Sequence, residues 1–254
     1  MSNRLKISVI TVCFNSADTL AEALQSVADQ TWPHIEHIVI DGASRDGTPF
    51  ILEQFRQHLA HVVSEPDKGI YDAMNKGLAL CRGEIVCFLN ADDRYASPQV
   101  LADVARQMSE HKVDVLMGDV AFFHADNPDK VVRRYRSNRF RPELLAWGWM
   151  PAHPALFMRQ AVVKRVGKFK TDYRIAGDFD FVARAFADKH LRYRHLPEVL
   201  VNMRTGGAST AGLRAKLLLN REVLRACREN GIRTNLLKIL SKYPAKLLEL
   251  VLKT

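Results

Sequence analysis

The first half of the chain alternates short apolar runs with segments whose apolar residues recur at helical spacing. The run 7–14 has the composition of a buried strand, whereas in 17–29 the residues Leu20, Leu24 and Val27 fall on one helical face. Turn and cap residues stand at the junctions between such segments. The alternation indicates βαβ units, and therefore an α/β fold with a mostly parallel sheet flanked by helices.

The same patterns predict the order of elements along the whole chain. The predicted strands are 7–14, 37–40, 61–64, 84–89, 113–117 and about 193–204. The predicted helices are 17–29, 70–81, 98–111 and 213–230, together with two that begin near Thr48 and Gly177. After about residue 120 the pattern loosens, so we expect the regular part of the sheet to close with the strand 113–117.

Composition allows one large α/β domain and excludes several classes of protein. The 254 residues are 47% hydrophobic and 26% charged, which rules out a disordered or fibrous chain. None of the four cysteines forms a C-x-x-C pair, so we expect neither a disulfide framework nor a zinc ribbon. Because no leader and no apolar stretch of 18 residues is recognisable, we expect a cytoplasmic protein that is neither secreted nor membrane-spanning.

Charge is distributed unevenly between the two halves. Residues 1–112 carry 10 Lys and Arg against 15 Asp and Glu, whereas residues 113–254 carry 27 against 13. This asymmetry indicates a carboxylate-bearing half and a basic half that meets something anionic, such as phosphate, lipid headgroups or nucleic acid.

Polar residues end the predicted strands, at the edge where ligands bind in a parallel α/β sheet. They are Asn15, Asp41, Glu65 and the adjacent pair Asp92 and Asp93. Each alone could be a turn or cap residue, but carboxylates gathered at one edge favour a bound cation. Asp92 and Asp93 offer hard oxygen ligands for Mg²⁺ or Mn²⁺, and no glycine-rich phosphate loop is present, so a phosphate site would have to be metal-based.

Four blocks of sequence resemble family 2 glycosyltransferases with the glycosyltransferase A fold. They are VITVCFN (9–15), IVIDGASRDGT (38–48), SEPDKGIYDAMNKG (64–77) and FLNADD (88–93). Their order and spacing argue against a chance match, and the nearest resemblance is to bacterial enzymes that build exopolysaccharide, colanic-acid-like or O-antigen repeat units. The resemblance implies a Rossmann-like sheet.

The pattern along the chain, together with the resemblance, which does not cover the tail, indicates how the chain is divided. A catalytic domain would span 1–232, with a nucleotide-sugar-binding half over 1–119 and an acceptor-binding half over 120–232. A basic amphipathic helical tail would follow over 233–254.

Roles on the donor side follow from the same resemblance. The residues expected along the nucleotide are Thr11, Asn15, Asp41, Glu65, Asp67 and Lys68. Asp41 would accept a hydrogen bond from the ring N–H of a pyrimidine base. Asp93 would hold the metal ion, with Asp92 near the ribose and the donor sugar. Asn90 stands where many members of the family place a further Asp.

The block 176–180 resembles the family's Glu-Asp motif at the start of a helix. Asp178 takes the position of the catalytic base, with Asp180 as the alternative, and Gly177 replaces the motif's Glu. A carboxylate is the usual group to take a proton from an acceptor hydroxyl. Without such a function, the two aspartates would cap the helix or complement its dipole.

Three aromatic residues are expected on the acceptor side, and one turn is expected beside the diphosphate. His153 matches a family segment that lines the site below the sugar, and Trp147 and Trp149 could stack on a sugar face. Each of them could also be an ordinary packed side chain. Residues 206–209 resemble a late Gly-Gly-x-Ser turn that borders the diphosphate, although Ser209 could simply cap the next helix.

Together these expectations describe an inverting, metal-dependent, non-processive transferase. It would move a sugar from a nucleotide-diphosphate donor, UDP-linked in our interpretation, to a hydroxyl of a glycan or polyprenyl-diphosphate-linked acceptor. Two rival functions are a sugar-1-phosphate nucleotidyltransferase, which lacks its glycine-rich loop here, and an RNA-binding module on the basic stretch 133–141. No RNA-binding motif accompanies that stretch, so we expect no nucleic-acid partner.

The C-terminal segment 211–254 combines positive charge with leucines. It carries 10 Lys and Arg against three Glu, and its apolar residues gather on helical faces. This pattern predicts contact with an anionic membrane surface. The alternative is a helix pair packed on the catalytic domain or on a second subunit, in a homodimer.

Overall fold

A computed structural model of the chain describes residues 5–206 and 212–241, and within them nine strands form one sheet. The strands are β1 (Ile7–Cys13), β2 (Ile35–Asp41), β3 (His61–Ser64), β4 (Ile85–Phe88), β5 (Asp93–Tyr95), β6 (Val115–His124), β7 (Asn127–Tyr135), β8 (Leu156–Arg159) and β9 (Tyr193–Arg204). The order across the sheet is β3-β2-β1-β4-β8-β6-β9-β5, and β7 pairs with β6 off this path.

The α-helices connect and cover these strands. They are α1 (Leu20–Ala28), α2 (Thr48–Gln54), α3 (Ile70–Leu80), α4 (Val100–Glu110), α5 (Gln160–Val166), α6 (Gly177–Phe186), α7 (Leu213–Glu229) and α8 (Leu236–Leu240). Short 3-10 helices lie at Arg56–His58, Pro142–Trp147 and His153–Ala155. Over the described ranges, none of the helices combines the length and the apolar character that a bilayer span requires.

The sheet is parallel in its first half and mixed in its second. β1 runs parallel to β2 and β4, and β2 runs parallel to β3. β8 is antiparallel to both β4 and β6, whereas β9 is parallel to β6 and antiparallel to β5. The predicted parallel arrangement therefore describes the βαβ half, and the second half adds antiparallel partners to the same α/β sheet.

Alternation along the strands divides the core into layers on the two faces of the sheet. Ile10 packs with Phe179 and Phe181 of α6 in one layer, whereas Ile7 packs with Leu101 of α4 in the other. Successive side chains of a strand point to opposite faces, so neighbouring apolar residues of β1 supply both layers. This two-sided burial is why β1 and β4 consist mainly of apolar residues, with Ser8 and Thr11 as the polar positions of β1.

Most predicted elements are present, with small differences at their ends. The strands at 61–64 and 193–204 have the predicted bounds, and α3 ends one residue earlier than predicted, at Leu80. The helix predicted over 98–111 is shorter at both ends and spans Val100–Glu110. Such shifts reflect cap geometry, which apolar spacing does not specify.

The regular structure does not close at residue 117, contrary to the prediction. β6 continues to His124 and pairs with β7 as a hairpin. In β7 the Arg133 guanidinium lies 4.9 Å from the centroid of the Phe122 ring and 5.8 Å from that of Tyr135. The sequence pattern did not predict this hairpin, because one face of it is formed by cationic and aromatic residues. Such a face lacks the alternation of apolar and polar residues by which strands are recognised.

The described part of the tail packs against the rest of the domain. Ile239 of α8 is fully buried, and α8 contacts α7 and the 3-10 helix that ends at Trp147. The ammonium of Lys238 lies 5.4 Å from the Trp147 ring centroid. The remainder of the predicted tail, 242–254, and the predicted turn at 207–209 lie outside the described residues.

Candidate active site

A cleft of about 1050 Å³ opens where the carboxyl ends of β1 and β4 meet the second half of the chain. The first half contributes the end of β1, the start of α3 and the segment 90–93. The second half contributes the β6–β7 hairpin, His153, the segment 174–178 and the end of β9. The volume suits a ligand of nucleotide size with room for a second molecule.

Asp93 lines this cleft from the first half of the chain, where it begins β5 and is 2% exposed. Because β5 pairs with β9, the backbone N–H of Arg204 lies near the Asp93 carboxylate, where it acts to lower the pKa of Asp93. Burial, and then the neighbouring charge of Asp92, raise the pKa of Asp93 well above its usual range. As an anion, this carboxylate therefore needs a cation close by.

Asn90 supplies a second oxygen at the same place. Its Nδ2 donates to Asp93 Oδ2 at 3.3 Å, while its Oδ1 is buried without a hydrogen-bond partner. Leaving such an acceptor unpaired costs about 1–3 kcal/mol, which a bound cation or ligand hydroxyl would offset. These hard oxygens fit Mg²⁺ or Mn²⁺.

Protein ligands alone do not complete a metal site in the described part of the chain. Across 5–206 and 212–241, no group of three or more His, Cys, Asp or Glu side chains could hold an ion. A cation held by Asp93 and Asn90 would therefore take its other ligands from the bound substrate and water, as Mg²⁺ commonly does.

Asp178 reaches the cleft from the opposite half, on the first turn of α6. Its Oδ1 accepts a hydrogen bond from the N–H of Phe179 at 2.8 Å. Burial, together with the charge of Glu222, raises the pKa of Asp178 to about 6, although the Phe179 bond opposes the shift. A carboxyl group with this pKa is mostly ionised at pH 7 and still has substantial proton affinity, as a general base requires.

Two residues that the sequence did not single out hold the segment before Asp178. The carboxylate of Glu222 on α7 accepts the N–H groups of Arg174, Ile175 and Ala176, each at 2.8 Å. Glu222 is 7% exposed and lies 44 positions after Asp178. The sequence gives little reason to select Glu222, because a single acidic residue in an amphipathic helix such as α7 usually lies on the solvent-exposed face.

Tyr71 of α3 is the second of these residues. Its hydroxyl donates to the backbone oxygen of Ile175 at 2.6 Å. A Cβ placed on Gly177 would lie 2.7 Å from the Tyr71 ring, so this packing has no room for any side chain at that position. The glycine at position 177, where the family motif has Glu, was thus the only feature of the sequence that pointed to the packing of Tyr71 on this segment.

Helix capping does not explain why Asp92 and Asp93 precede α4, or why Asp178 and Asp180 lie at the start of α6. Gln99 is the N-cap of α4 and Ala176 is the N-cap of α6, so Asp93 and Asp178 lie outside both cap positions. Asp180, the alternative base, is fully buried and bonded by three side chains from different parts of the chain. Its partners are Lys170, Arg184 and Asn230. The carboxylate of Asp180 is therefore structural.

Six of the predicted site residues line the cleft together. They are Asn15, Asp67, Asp92, Asp93, His153 and Asp178. Asp67 comes close because Gly42 has no side chain: a Cβ there would lie 2.6 Å from Asp67 Oδ2. His153 stacks on Phe88 with ring centroids 5.1 Å apart, and burial lowers its pKa to about 4, so it faces the cleft as a neutral imidazole.

Two predicted nucleotide contacts are buried below the cleft. Thr11 is fully buried and its Oγ1 lies 3.0 Å from His37 Nε2, so strand alternation directs it into the core, and we correct its expected role. Asp41, also fully buried, accepts hydrogen bonds from the hydroxyls of Ser44 and Ser64. Ser44 Oγ in turn accepts the N–H of Asn15 at 2.7 Å, so Asp41 orders the turn beneath a cleft residue.

Three further predicted contacts lie outside the residues that line the cleft. Glu65 forms an ion pair with Lys76 at 2.8 Å, and Lys68 is exposed to solvent. Trp149 stacks on Tyr135 with ring centroids 6.4 Å apart. The block 64–77 therefore contributes to the site mainly through Asp67 and the start of α3.

Comparison with known sequences identifies relatives over most of the chain. The sequence model of the family described as Glycosyl transferase family 2 matches residues 8–167. An uncharacterized glycosyltransferase of Mycobacterium tuberculosis is 34% identical over 190 residues, covering 73% of this chain and 70% of that protein. A PGL/p-HBAD biosynthesis glycosyltransferase of the same species is 32% identical over 201 residues, covering 74% and 73%.

Two solved structures have a similar fold. The 1–349 fragment of S. aureus TarS in complex with UDP-GlcNAc has a TM-score of 0.68 and 23% identity, covering 87% of this chain and 67% of that one. The chain spans 65% of the fragment solved without that ligand. The mannosyltransferase PcManGT from Pyrobaculum calidifontis, in complex with GDP-Man and Mn²⁺, has a TM-score of 0.61 and 19% identity, covering 98% and 81%.

Proposed function

Because the chain belongs to glycosyltransferase family 2 and has the glycosyltransferase A fold, we propose that its cleft transfers one sugar from a nucleotide-diphosphate donor to an acceptor hydroxyl, with inversion at the anomeric carbon. The chain is thus a glycosyltransferase. Membership of this family argues against the two rival interpretations, the nucleotidyltransferase and the RNA-binding module.

One observation carries this proposal. Asp93 and Asp178 line the same cleft from opposite halves of the chain, and their surroundings suit different partners. Asp93 has a neighbouring carboxylate and the unpaired oxygen of Asn90, which suit a divalent cation. Asp178 has a pKa of about 6, which suits a proton. Pairs of acidic groups separated in this way are typical of sites that assign them different tasks.

The donor would lie along the first-half wall of the cleft. Asn15 and Asp67 would contact the nucleoside, and Asp92 would approach the donor sugar. We propose a UDP-linked donor. A UDP-GlcNAc complex of the TarS fragment supports it, although PcManGT was solved with GDP-Man.

In the proposed reaction, a divalent cation held by Asp93 and Asn90 would stabilise the negative charge that grows on the leaving diphosphate. Asp178 accepts the proton of the acceptor hydroxyl as its oxygen bonds to the anomeric carbon. The bond from that carbon to the diphosphate breaks, and its electron pair leaves with the nucleoside diphosphate. Attack opposite the leaving group inverts the anomeric carbon, and the proton on Asp178 is then released to water.

We further propose that the acceptor is a glycan or polyprenyl-diphosphate-linked sugar of a bacterial surface polysaccharide, at an anionic lipid surface. The described tail supports this location. Leu237 of α8 is 80% exposed, and Leu236, Leu240 and Trp147 beside it are also exposed around the cationic Lys238. Exposed leucines next to a lysine are suited to the interface of an anionic bilayer.

Sedimentation with vesicles of graded anionic lipid content tests the membrane proposal. Leu237→Asp should lower binding at least about fivefold, since burial of one leucine stabilises by about 1.5–3 kcal/mol. Leu217→Asp, at an exposed leucine of α7, is the matched control and should bind like the parent. Equal binding by Leu237→Asp would remove α8 from the interaction.

Thermal unfolding with a panel of nucleotide sugars, each with and without Mn²⁺, tests the proposed function. A nucleotide-sugar donor should raise the melting temperature only when Mn²⁺ is present, and Asp93→Ala should abolish that dependence, because a ligand that binds only the folded state stabilises it. Product analysis by NMR should then show inversion at the transferred sugar. Stabilisation that is unaffected by Mn²⁺, or retention at the anomeric carbon, would contradict the proposal.

A further inference from the structure

We infer that Glu222 is the positioning residue of the catalytic base, because it fixes the segment that carries Asp178 into the cleft and places a second negative charge behind it. The inference rests on the proposed role of Asp178. Glu222 itself is absent from the cleft lining, so it would act through Asp178 and touch no substrate.

The geometry of the anchor is specific. Glu222 Oε1 accepts the N–H of Arg174, and Oε2 accepts those of Ile175 and Ala176, so both carboxylate oxygens are used. Ala176 is the N-cap of α6, and no side chain caps that helix. The first turn, which carries Asp178, is therefore oriented by this anchor and by the Tyr71 contact. A glutamine could accept through one oxygen only.

Burial of the Glu222 carboxylate costs free energy of desolvation, which its hydrogen bonds must offset. Removing an anion from water is repaid only when its hydrogen bonds are well formed, as three charge-assisted bonds are here. Glu222 lies on α7 next to the buried Val223, and α7 packs against α6. Its charge consequently acts on Asp178 through protein rather than through water, which strengthens the interaction.

Other groups around Asp178 do not replace this charge. Tyr71, His153 and Arg174 line the cleft with Asp178, Asp180 lies on the same helical turn, and Glu222 acts on Asp178 from α7. Burial raises the pKa of Tyr71 and lowers that of His153 to about 4, so both are neutral at pH 7. Asp180 is compensated by Lys170 and Arg184. Arg174 is exposed, and Glu222 is the negative charge that contributes to the raised pKa of Asp178.

The decisive measurement is the pH profile of kcat/KM, compared between the parent chain and Glu222→Gln. A base must be ionised, so the parent rate should rise with pH through about 6. Without the charge of Glu222 the pKa of Asp178 should fall, and the acidic limb should move to lower pH by about half to one unit. We also expect kcat to fall about tenfold, because the segment 174–176 loses hydrogen bonds.

Glu229→Gln is the matched control on the same helix. Glu229 is ion-paired with Lys170 and Arg225 and accepts a hydrogen bond from the Tyr173 hydroxyl, and it is not among the residues that line the cleft. Its replacement should lower the melting temperature and leave the acidic limb in place. If the acidic limb of the kcat/KM profile has the same position in Glu222→Gln as in the parent, Glu222 has only a structural role and the inference is overturned.

Two further variants keep the outcome interpretable. If Glu222→Gln does not fold, Glu222→Asp retains the charge but shortens the side chain. It should keep the parent limb with at least about a fivefold lower kcat; a parent-like kcat would overturn the inference. Asp178→Asn should abolish the acidic limb. If it does not, the proposed base is contradicted, and if it does while Glu222→Gln leaves the limb unmoved, only the role of Glu222 fails.

Discussion

Asp93 and Asp178 occupy the two walls of one cleft, and both have a raised pKa, yet the reasons differ. Asp93 lies at the start of a strand, almost fully buried beside another carboxylate. Asp178 lies on the first turn of a helix, where the N–H of Phe179 donates to it and the charge that contributes to its raised pKa comes from Glu222 on a separate helix. Burial dominates at both, but only Asp93 has a like charge next to it in sequence.

Burial is common to both carboxylates, so it does not explain why one would hold a cation and the other would accept a proton. The groups next to each carboxylate make that difference. A carboxylate pressed against another carboxylate and an unpaired amide oxygen is stabilised most by a cation. A buried carboxylate that accepts backbone N–H groups and has its like charge on another helix titrates near neutrality and exchanges protons. Variants that change these neighbours should therefore have different signatures on the two sides of the cleft.

The largest effect is expected for Asp93→Ala. Loss of the cation anchor should lower transfer by about 10³-fold or more at saturating Mn²⁺, since charge on the leaving group would no longer be stabilised. Initial rates with donor in excess measure it. Asp103→Asn, which removes an exposed ion pair with Arg106 on α4, should retain the parent rate. A tenth of parental turnover in Asp93→Ala would be incompatible with a metal role.

On the other wall, Gly177→Ala should lower turnover about tenfold. Its Cβ would lie 2.7 Å from the Tyr71 ring, so the ring or the first turn of α6 must move, and Asp178 with it. Such overpacking lowers the free energy of unfolding by about 1–3 kcal/mol. Steady-state kinetics and chemical denaturation measure both effects, and removal of the ring in Gly177→Ala/Tyr71→Leu should restore part of the stability. Turnover within twofold of the parent would show that the position of Asp178 is not tightly held.

Asp41→Ala should weaken nucleotide binding and leave the base untouched. Removing the carboxylate that orders Ser44 loosens the turn beneath Asn15, at a cost of about 1–3 kcal/mol in affinity. Calorimetry with the free nucleoside diphosphate measures the change. If affinity is unaltered while the protein remains folded, the turn does not contribute to the donor wall.

The smallest effect is expected outside the cleft. Lys68→Ala and Glu65→Gln should each change kcat/KM by less than about twofold, because exposed charges and exposed ion pairs contribute about 0–1 kcal/mol. A loss above tenfold in either variant would mean that the block 64–77 closes onto the donor.

The sequence predicted the cleft residues on the donor side better than those on the acceptor side. Apolar runs followed by polar residues predict where parallel strands end, so the placement of Asn15, Asp92 and Asp93 at one edge followed from local pattern. The expected role of Thr11 came instead from the family resemblance; Thr11 lies inside a strand, where alternation decides between cleft and core, and it is fully buried.

The acceptor half depends on contacts between distant segments. Glu222 reaches the segment before Asp178 from α7, and the Arg204 backbone reaches Asp93 through the pairing of β5 with β9. Arg133 faces the cleft because β7 folds back on β6, a hairpin hidden by its charged residues. No local spacing encodes such pairings, so only the three-dimensional structure identifies these residues.

The division of labour between the two carboxylates is tested most directly by donor affinity in the presence of Mn²⁺, measured by calorimetry for Asp178→Asn beside Asp93→Ala. Asp178→Asn should bind the nucleotide sugar within about twofold of the parent while its turnover falls about 10²–10⁴-fold, because only proton transfer is lost. Asp93→Ala should lose the Mn²⁺-dependent part of binding together with turnover. An equal loss of donor binding in both variants would contradict the account, since Asp178 would then support the donor site rather than accept the proton.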